Sequence, residues 1–288
     1  MIGNVLVVVG VGGMGEAIAR RLGSGRPVVL ADHDEVRLQA VSSAMRRQGY
    51  DVREKSVDVS DRGSVRELAA FAAGLGPVTA VAHTAGLSPA QAPAERIAAV
   101  DLVGVAHSLD EFGEVIAPGG AGVYISSIAG HIFRDAVDAA TAAIFANAPA
   151  EELADVGLLS MPDVPVDLAR AMTYGYAKRA NQIRVQAQAP RWGDRGARVN
   201  SISPGVVATP MGWDEFEAEF AHDAYKSMVA DNAAGRFGTA EDVAAAADFL
   251  LDSTKSSFVS GVDLLVDGGT LAGISTGRVS MSPAENRT

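Results

Sequence analysis

The chain of 288 residues contains no cysteine, so disulfides, thiolate nucleophiles and cysteine-ligated zinc are excluded. Positive charge is also scarce, because 24 lysines and arginines face 35 aspartates and glutamates and leave a net charge of -11. Nucleic acids and anionic membrane surfaces both bind clusters of lysine and arginine. We therefore expect neither nucleic acid nor a membrane as a partner.

Long hydrophobic runs are missing as well. The longest apolar stretches, such as Val5–Val9, have the length of a strand and fall far short of a bilayer span. No basic segment precedes an apolar core near Met1, so we expect no signal peptide and a cytoplasmic location. The histidines form no HExxH or other close pair, and no metal site is expected. The G-x-S-x-G elbow of an α/β-hydrolase is absent too.

Short β-branched runs alternate with alanine-rich amphipathic stretches along the chain. The runs predict strands at Asn4–Val9, Pro27–Ala31, Val52–Val57, Thr79–Thr84, Gly122–Ser126, Arg198–Ser203 and Asp263–Val266. The stretches predict helices at Met14–Leu22, Asp34–Gln48, Val65–Ala73, Ala94–Phe112, Tyr174–Gln188 and Glu241–Leu251, the last opened by a Thr-x-x-Asp helix start. Largely apolar strands separated by helices indicate one doubly wound (Rossmann) α/β domain over residues 1–288, with a parallel seven-stranded sheet.

Two segments interrupt this alternation. Residues 134–171 are acidic and alanine-rich, carry several prolines, and are predicted to be an insertion. It could form a helical flap over the substrate, alter subunit contacts, or be a surface elaboration with no catalytic role. Residues 270–288 form a small, polar tail without periodicity, which we expect to be a loosely held terminus.

A glycine-rich turn follows the first predicted strand and opens the first helix. Its residues are Gly10, Gly12, Gly13, Met14 and Gly15. Glycines at this spacing allow a tight turn and a close approach of the backbone to a pyrophosphate, while the helix N-terminus offers free N–H groups to the anion. The turn therefore predicts a dinucleotide-binding site.

Acidic residues end the second and third predicted strands. The Asp32 carboxylate is placed to accept hydrogen bonds from ribose hydroxyls and to repel a 2′-phosphate, and its neighbours Ala31, His33 and Asp34 provide no lysine or arginine for that phosphate. This pattern predicts NAD rather than NADP, although Asp32 could instead cap the following helix. Asp58 is a candidate for the adenine amino group or, equally, a turn residue.

Tyr174 and Lys178 lie four residues apart at the start of a predicted helix and so share one face. An adjacent ammonium stabilises tyrosinate and lowers the pKa of the phenol from its usual value near 10. Tyr176 faces elsewhere, beside Ala180, and is the poorer candidate. Ser126 and Ser127 end the fifth strand, where ligands bind in parallel sheets and a hydroxyl can donate to a substrate oxygen.

Together these motifs resemble the compact, single-domain short-chain dehydrogenases/reductases. The resemblance runs from about Val5 to Gly269 and rests on Asp58-Val59, Thr84-Ala85-Gly86, Ser127-Ile-Ala-Gly130, Tyr174-Gly-Tyr176-Ala-Lys178, Arg198-Val-Asn200, Pro204-Gly205 through Thr209-Pro-Met211, Gly235-Arg-Phe-Gly238 and Val266-Asp-Gly-Gly269. It implies hydride transfer between NAD(H) and a carbonyl or secondary alcohol, in a homotetramer or homodimer.

The resemblance also assigns roles to particular residues. It implies Tyr174 as general acid/base, Lys178 as the ribose-binding residue that lowers the tyrosine pKa, and Ser127 as the residue that polarises the carbonyl. Ser127 is preferred to Ser126 because the serine of the family directly precedes the x-x-Gly sequence. Cofactor contacts are implied for Asp58, Val59, Thr84, Ala85, Gly86, Pro204, Gly205, Val207, Thr209 and Met211.

The chain departs from the family pattern in two places. Asp101 stands where the family usually has a catalytic asparagine. An ionised Asp101 could hold the same water chain to Lys178, but it would offset the lysine charge, raise the Tyr174 pKa and give a somewhat alkaline activity optimum. The insertion at 134–171 separates Ser127 from Tyr174, as in the bacterial 3α-hydroxysteroid dehydrogenase/carbonyl reductase subgroup, which the chain resembles most.

The substrate loop of the family corresponds to residues 209–235. Its apolar residues are Met211, Trp213, Phe216, Phe220, Tyr225 and Met228. They predict a hydrophobic substrate, a carbonyl compound or alcohol such as a steroid, terpenoid or aliphatic compound. Alternatively, they form the buried face of a helix.

Two alternative functions are open. The protein could be a non-catalytic NAD(H) sensor or scaffold, or an epimerase or dehydratase that keeps its NAD bound.

Overall fold

A computed structural model of the protein describes residues 3–219 and 222–281. Within these ranges, seven strands form one parallel sheet in the order β3-β2-β1-β4-β5-β6-β7. The strands are β1 (Val5–Val9), β2 (Pro27–Asp32), β3 (Asp51–Ser56), β4 (Val78–His83), β5 (Ile116–Ile125), β6 (Arg198–Pro204) and β7 (Asp263–Val266). This architecture confirms the predicted doubly wound sheet.

Helices connect the strands and cover both faces of the sheet. They are α1 (Gly13–Leu22), α2 (Glu35–Arg47), α3 (Arg62–Leu75), α4 (Ala94–Ile97), α5 (Val105–Val115), α6 (Ile128–Ile132), α7 (Ala139–Asn147), α8 (Val166–Asp194), α9 (Pro210–Glu217), α10 (His222–Ala230), α11 (Ala240–Leu251) and α12 (Thr270–Ser275). The predicted start of the helix after residue 238 is confirmed, because Thr239 and Asp242 form a reciprocal capping box.

The first strand shows why uninterrupted apolar residues are needed here. All its side chains are buried, and successive side chains point to opposite faces. Leu6 and Val8 enter the core under α1, α2 and α11, whereas Val5, Val7 and Val9 enter the core under α3 and α5. The strand order reverses at β1, because β2 and β3 follow on one side of it and β4 begins the other side. In such sheets ligands bind in the crevice at the carboxyl ends of the strands where the order reverses.

Several predicted boundaries were wrong. β5 begins at Ile116, well before the predicted Gly122. The single helix predicted at Ala94–Phe112 is interrupted by a π-helical turn over Ala98–Gly104, which places Asp101 inside the wider turn. The last residue of the turn packs closely on Val59, since a Cβ on Gly104 would lie 2.7 Å from the Val59 side chain. Sequence periodicity does not register such a contact.

The prediction of a loosely held C-terminal tail was wrong for its described residues, 270–281. Residues Thr270–Ser275 form α12, and Val279 is buried against Gly273. The Ser280 N–H donates to the Ser227 hydroxyl at 2.9 Å, which fastens the segment to α10. The sequence does not predict this helix, because the helix is stabilised by tertiary contacts rather than by the helix propensity of its small residues.

The predicted insertion shares a hydrophobic cluster with the rest of the domain. Its last residues belong to α8, which begins at Val166, and the preceding part contains α7 and short 3₁₀ turns at Arg134–Ala136, Ala150–Asp155 and Gly157–Leu159. Phe145 and Leu153 are fully buried in a cluster that also takes in Leu102, Ala106, Ala177 and Ala180. The insertion is therefore packed on α5 and α8.

A buried arginine completes this attachment. The Arg184 guanidinium on α8 donates to the carbonyl of Ala148 at 2.9 Å and to that of Phe145 at 3.3 Å. These carbonyls lie at the end of α7, where helix carbonyls lack partners within the helix. The contact ties the orientation of α7 to the helix that carries Tyr174 and Lys178.

Phe145→Ala tests whether the insertion belongs to the folding unit. Because Phe145 is fully buried, we expect a loss of about 3–5 kcal/mol in the free energy of unfolding, measured by urea denaturation. The neighbouring Ile144→Ala is the control, since Ile144 is 44% exposed and its loss should cost only about 0.5 kcal/mol. Equal effects of the two substitutions would contradict the packing described above.

Candidate active site

The glycine-rich turn lies at the carboxyl end of β1. Gly10 has a φ of +90°, and a Cβ there would meet the backbone nitrogen of Ala85 at 2.5 Å. A Cβ on Gly15 would lie 1.9 Å from the Gly10 carbonyl oxygen, whereas one on Gly12 would meet nothing within 4 Å. Gly10 and Gly15 therefore permit the close packing of the turn, and Gly12 leaves an open backbone surface that fits a pyrophosphate.

Thr84 fixes this turn from the neighbouring strand. Its hydroxyl donates to the Gly10 carbonyl at 2.7 Å, and its backbone N–H donates to the Val9 carbonyl at the same distance. Ala85 and Gly86 continue along the wall of the crevice. A Cβ on Gly86 would lie 3.1 Å from the Asp101 carboxylate. The Thr84-Ala85-Gly86 sequence thus joins the glycine turn to Asp101, one of the predicted catalytic residues.

The far end of the crevice contains Asp32 and Asp58. Asp32 accepts hydrogen bonds from the backbone N–H groups of Val11 at 2.7 Å and Asp34 at 2.9 Å, and it lines the cavity. The N-cap of α2 is Asp34, so the alternative that Asp32 caps this helix is wrong. Asp58 accepts from the backbone and hydroxyl of Ser60, which lowers its pKa, and therefore acts as a turn residue on the cavity wall.

Sequence analysis missed one cation at this end. Arg37 lines the same crevice, where its guanidinium pairs with the Asp34 carboxylate at 3.3 Å. Arg37 lies in the first turn of α2 and is not adjacent to Asp32 in the sequence, so inspection of the residues next to Asp32 could not find it. Helical spacing from the N-cap Asp34 was the available signal.

Tyr174 and Lys178 project together from α8, as their spacing predicts. The Lys178 ammonium lies 5.2 Å from the centre of the Tyr174 ring. It also lies 2.9 Å from the Asp101 carboxylate, and both members of this ion pair are buried, with side-chain exposures of 5% and 0%. The second oxygen of Asp101 accepts from the Leu87 N–H at 2.7 Å. The structure thus brings together three of the predicted catalytic residues.

Asn181 is a residue that sequence analysis did not single out. Its amide donates to the backbone carbonyl of Asp101 at 2.9 Å and is buried. That carbonyl lies in the π-helical turn, so the contact holds the turn against α8. Asn181 follows Tyr174 by seven residues, which places both on the same face of the helix. This spacing was a usable signal, although it would not have distinguished a functional residue from a core residue.

The environment of Tyr174 disfavours tyrosinate. Burial raises the pKa of Tyr174 well above its ordinary value, and the charges of Glu215 and Asp101 raise it further. The nearby Ser127 hydroxyl opposes this increase. Burial likewise raises the pKa of Asp101, while the Lys178 ammonium and the Leu87 N–H oppose that increase.

The two serines at the end of β5 have different surroundings. Ser127 caps α6, accepting from the Ala129 N–H at 3.1 Å, and interacts with Tyr174. The Ser126 hydroxyl donates to the Lys178 backbone carbonyl at 2.8 Å. Tyr176 points away and packs edge-on against Phe133, 5.1 Å between ring centres. Ser127 is therefore the serine placed beside the phenol of Tyr174.

Tyr174 lies where the dinucleotide crevice meets a second cavity. The second cavity has a volume of about 230 Å³ and a largely apolar lining, and Ser127, Tyr174 and Met281 all border it. Five of the residues for which cofactor contacts were predicted line it too: Pro204, Gly205, Val207, Thr209 and Met211. Thr209, Met211 and Met14 also border the crevice, which makes the two cavities neighbours.

The apolar residues of the predicted substrate loop divide into two groups. Met211, Tyr225 and Met228 line the second cavity. Trp213 and Phe216 instead pack on Phe237, with ring centres 4.7 and 5.2 Å away. Phe220 lies outside the described residues. The described part of the loop contains α9 and α10. Trp213 is 44% exposed, so the interpretation as a buried helix face fails for this residue, and the hydrophobic substrate stays a prediction.

Comparisons with known proteins agree with this geometry. A family model described as short chain dehydrogenase matches residues 4–147, and one described as enoyl-(acyl carrier protein) reductase matches residues 161–270. The short-chain dehydrogenase/reductase bsc3 of Alternaria brassicicola is 41% identical over 276 residues, which cover 94% of this chain and 97% of the relative. The chain belongs to the short-chain dehydrogenase/reductase family.

More distant members show the same coverage. The 2,5-dichloro-2,5-cyclohexadiene-1,4-diol dehydrogenase LinX of Sphingobium indicum is 29% identical, over 93% of this chain and 96% of its own length. A short-chain dehydrogenase/reductase structure from Mycobacterium ulcerans superposes with a TM-score of 0.72 at 23% identity, covering 93% of this chain and 90% of the other. The likeness to the 3α-hydroxysteroid dehydrogenase/carbonyl reductase subgroup, the homo-oligomer and the cytoplasmic location stay predictions.

Within residues 3–219 and 222–281, no helix has the length and apolar character needed to cross a bilayer.

Proposed function

We propose that this family member interconverts a secondary alcohol and a ketone with NAD(H) as hydride carrier. The observation that carries the proposal is the position of Tyr174 between the glycine-lined crevice and the apolar cavity, beside Ser127 and Lys178. A group in this position can exchange a proton with a substrate in one cavity while hydride moves to or from a dinucleotide in the other.

The residues supply proton transfer and orientation. A nicotinamide held in the crevice lined by the glycine turn and Lys178 would supply the hydride acceptor for an alcohol carbon or the hydride donor for a carbonyl carbon. In oxidation Tyr174 takes the hydroxyl proton as the carbon–oxygen double bond forms, and in reduction it gives that proton back to the oxygen. The Ser127 hydroxyl is placed to donate to the same oxygen and to stabilise the negative charge that develops there.

Lys178 has a divided role in this proposal. Its ammonium favours tyrosinate and is close enough to the crevice to bind ribose hydroxyls. The direct ion pair with Asp101 offsets part of this charge. Tyr174 therefore keeps its proton at neutral pH, which suits it as the acid in carbonyl reduction and makes alcohol oxidation favour alkaline pH.

The cavity supports a small substrate. Its volume of about 230 Å³ is below the range of roughly 300–1,000 Å³ typical of sites for drug-sized ligands. The relative LinX is named for the oxidation of a ring-borne diol, a substrate of one carbocycle. We therefore propose a small alcohol or ketone, of about monocyclic size, within the broader class of hydrophobic substrates.

Asp32 supports NAD as the cofactor. Its carboxylate borders the end of the crevice where the ribose of the adenosine would lie, and a negative charge there repels a 2′-phosphate. Arg37 is the nearby cation, but its charge is matched by Asp34. The balance of charge next to Asp32 is therefore unfavourable to NADP.

Asp32→Asn keeps the size of this side chain and removes its charge. We expect the ratio of NADH to NADPH affinity to fall about tenfold, equivalent to about 1.4 kcal/mol, in a titration of dinucleotide fluorescence. Asp51→Asn, an exposed position at the start of β3, should leave the ratio unchanged. An unchanged ratio in Asp32→Asn would remove the argument for NAD.

Tyr174→Phe tests the proton-transfer step. We expect turnover of alcohols and ketones, followed by NADH absorbance, to fall by at least roughly a thousandfold because the proton donor and acceptor is lost. NADH affinity should stay nearly the same, since the ring is retained. Tyr176→Phe, on the same helix but against Phe133, should keep its activity.

Two results would contradict the proposal. Retained turnover in Tyr174→Phe would remove the assigned acid/base, and loss of NADH binding with it would indicate a structural role instead. Wild-type protein that binds NADH but transfers hydride to no member of a broad set of ketones would indicate a binding protein rather than an enzyme.

Asp101→Asn tests the electrostatic argument through pH. The Asp101 charge raises the pKa of Tyr174, so its removal should lower that pKa. The rate of alcohol oxidation rises with pH as Tyr174 loses its proton, and we expect this rise to move about one unit toward acid. Glu95→Gln, an exposed change on α4, is the control. A pH–rate profile that stays in place would show that the Asp101 charge does not reach the reacting oxygen.

A further inference from the structure

A carboxyl group borders the apolar cavity next to the reacting centre. Glu215 on α9 lines this cavity together with Tyr174 and Tyr225. Its Oε1 atom is buried and has no hydrogen-bond partner within residues 3–219 and 222–281. The Tyr225 phenol, from α10, borders the same cavity and lies close enough to the carboxyl group to lower its pKa. The Oε1 atom is therefore available to a ligand.

An unpartnered carboxyl oxygen in an apolar site is costly. Burial of such an atom costs free energy unless a ligand or water supplies the missing hydrogen bond. Asp101 Oδ2 is also buried without a hydrogen-bond partner among the described residues, but it is paired with the Lys178 ammonium at 2.9 Å and does not line the apolar cavity. Both Asp32 oxygens accept backbone N–H groups. Glu215 therefore differs from its neighbours in offering a free acceptor to the substrate cavity.

We propose that Glu215 binds a second hydroxyl group of the substrate, so that the preferred substrates are diols and the hydroxyketones formed from them. The inference rests on the proposed function, because it concerns the substrate of the same site. A substrate hydroxyl can donate to the free oxygen without carrying charge into the cavity. A substrate ammonium would be repelled by the Lys178 cation, whose charge acts on Glu215. A substrate carboxylate would be repelled by Glu215 itself.

The two substrate hydroxyls must be close together. The Glu215 charge contributes to the raised pKa of Tyr174, so the carboxyl lies within electrostatic reach of that phenol. Both groups border one cavity of about 230 Å³. A hydroxyl on the carbon next to the reacting carbon, or on one nearby in the same ring, therefore fits the arrangement best.

The ionisation of Glu215 adds a pH dependence. Burial raises the pKa of Glu215 to about 7, with Asp101 and Asp214 adding to the increase and Lys178 and Tyr225 opposing it. Above this pH the carboxylate accepts a charge-assisted hydrogen bond, which is stronger than a neutral one. Binding of a diol should therefore weaken as the pH falls through about 7, and binding of a monoalcohol should not.

The experiment compares a vicinal cyclohexanediol with cyclohexanol as substrates of the wild-type enzyme and of Glu215→Gln. We expect kcat/KM for the diol, relative to the monoalcohol, to fall ten- to a hundredfold in the variant, mainly through KM, as for loss of a hydrogen bond to a charged group. Glu217→Gln, an exposed change on the same helix, should leave this ratio unchanged. Because Tyr174 acts on both substrates, the ratio cancels effects of the chemical step.

A second variant covers the case in which Glu215→Gln fails to fold. Tyr225→Phe removes the interaction that lowers the Glu215 pKa, so the pH at which the diol-to-monoalcohol ratio changes should move upward. In a folded Glu215→Gln enzyme that transition should vanish. An unchanged ratio in Glu215→Gln, or a transition that stays in place in Tyr225→Phe, would overturn the inference.

Failure of the inference and failure of the proposed function give different results. Turnover of both alcohols with a ratio that ignores Glu215 rejects the diol site and leaves the dehydrogenase intact. NADH binding without turnover of any alcohol or ketone rejects the function, and the diol site with it.

Discussion

The buried ion pair between Lys178 and Asp101 is the interaction on which the site depends. It links α8 to the π-helical turn before α5, and through the Leu87 N–H it reaches the loop after β4. A buried charge left without its partner typically costs several kcal/mol, so these elements can form the site only together. The Asn181 contact to the Asp101 carbonyl and the small Gly86 keep the pair close.

The same pair sets the chemistry of the tyrosine. In a low-dielectric site the effect of an ammonium on a neighbouring phenol depends on the other charges nearby. Here Asp101 and Glu215 both act on Tyr174, and both favour its protonated form. The wide turn that carries Asp101 and the helix that carries Glu215 therefore both raise the pKa of Tyr174.

Much of the fold could be predicted from the sequence, because burial on both faces of a sheet requires continuous apolar strands and because the glycine turn requires its spacing. Tyr174 and Lys178 were accessible for a similar reason, since helical geometry fixes where i and i+4 point. The features that could not be predicted depend on tertiary contacts. The π-helical turn contacts Val59 and Asn181, and the ordered segment before Met281 is hydrogen-bonded to α10. Glu215, in the run Asp-Glu-Phe-Glu, has the sequence context of an exposed helical face.

This difference between Glu215 and Glu217 shows how the fold turns a common residue type into a selective one. Both lie on α9, yet only two positions apart they point in directions about 200° apart around the helix axis. Glu217 is exposed, whereas Glu215 faces an apolar wall, where desolvation raises its pKa to about 7. A carboxyl group in such surroundings gains more from a hydrogen-bond donor than it would in water, because no solvent competes for the bond. The apolar lining that restricts the size of the substrate therefore also strengthens the recognition of its polar group.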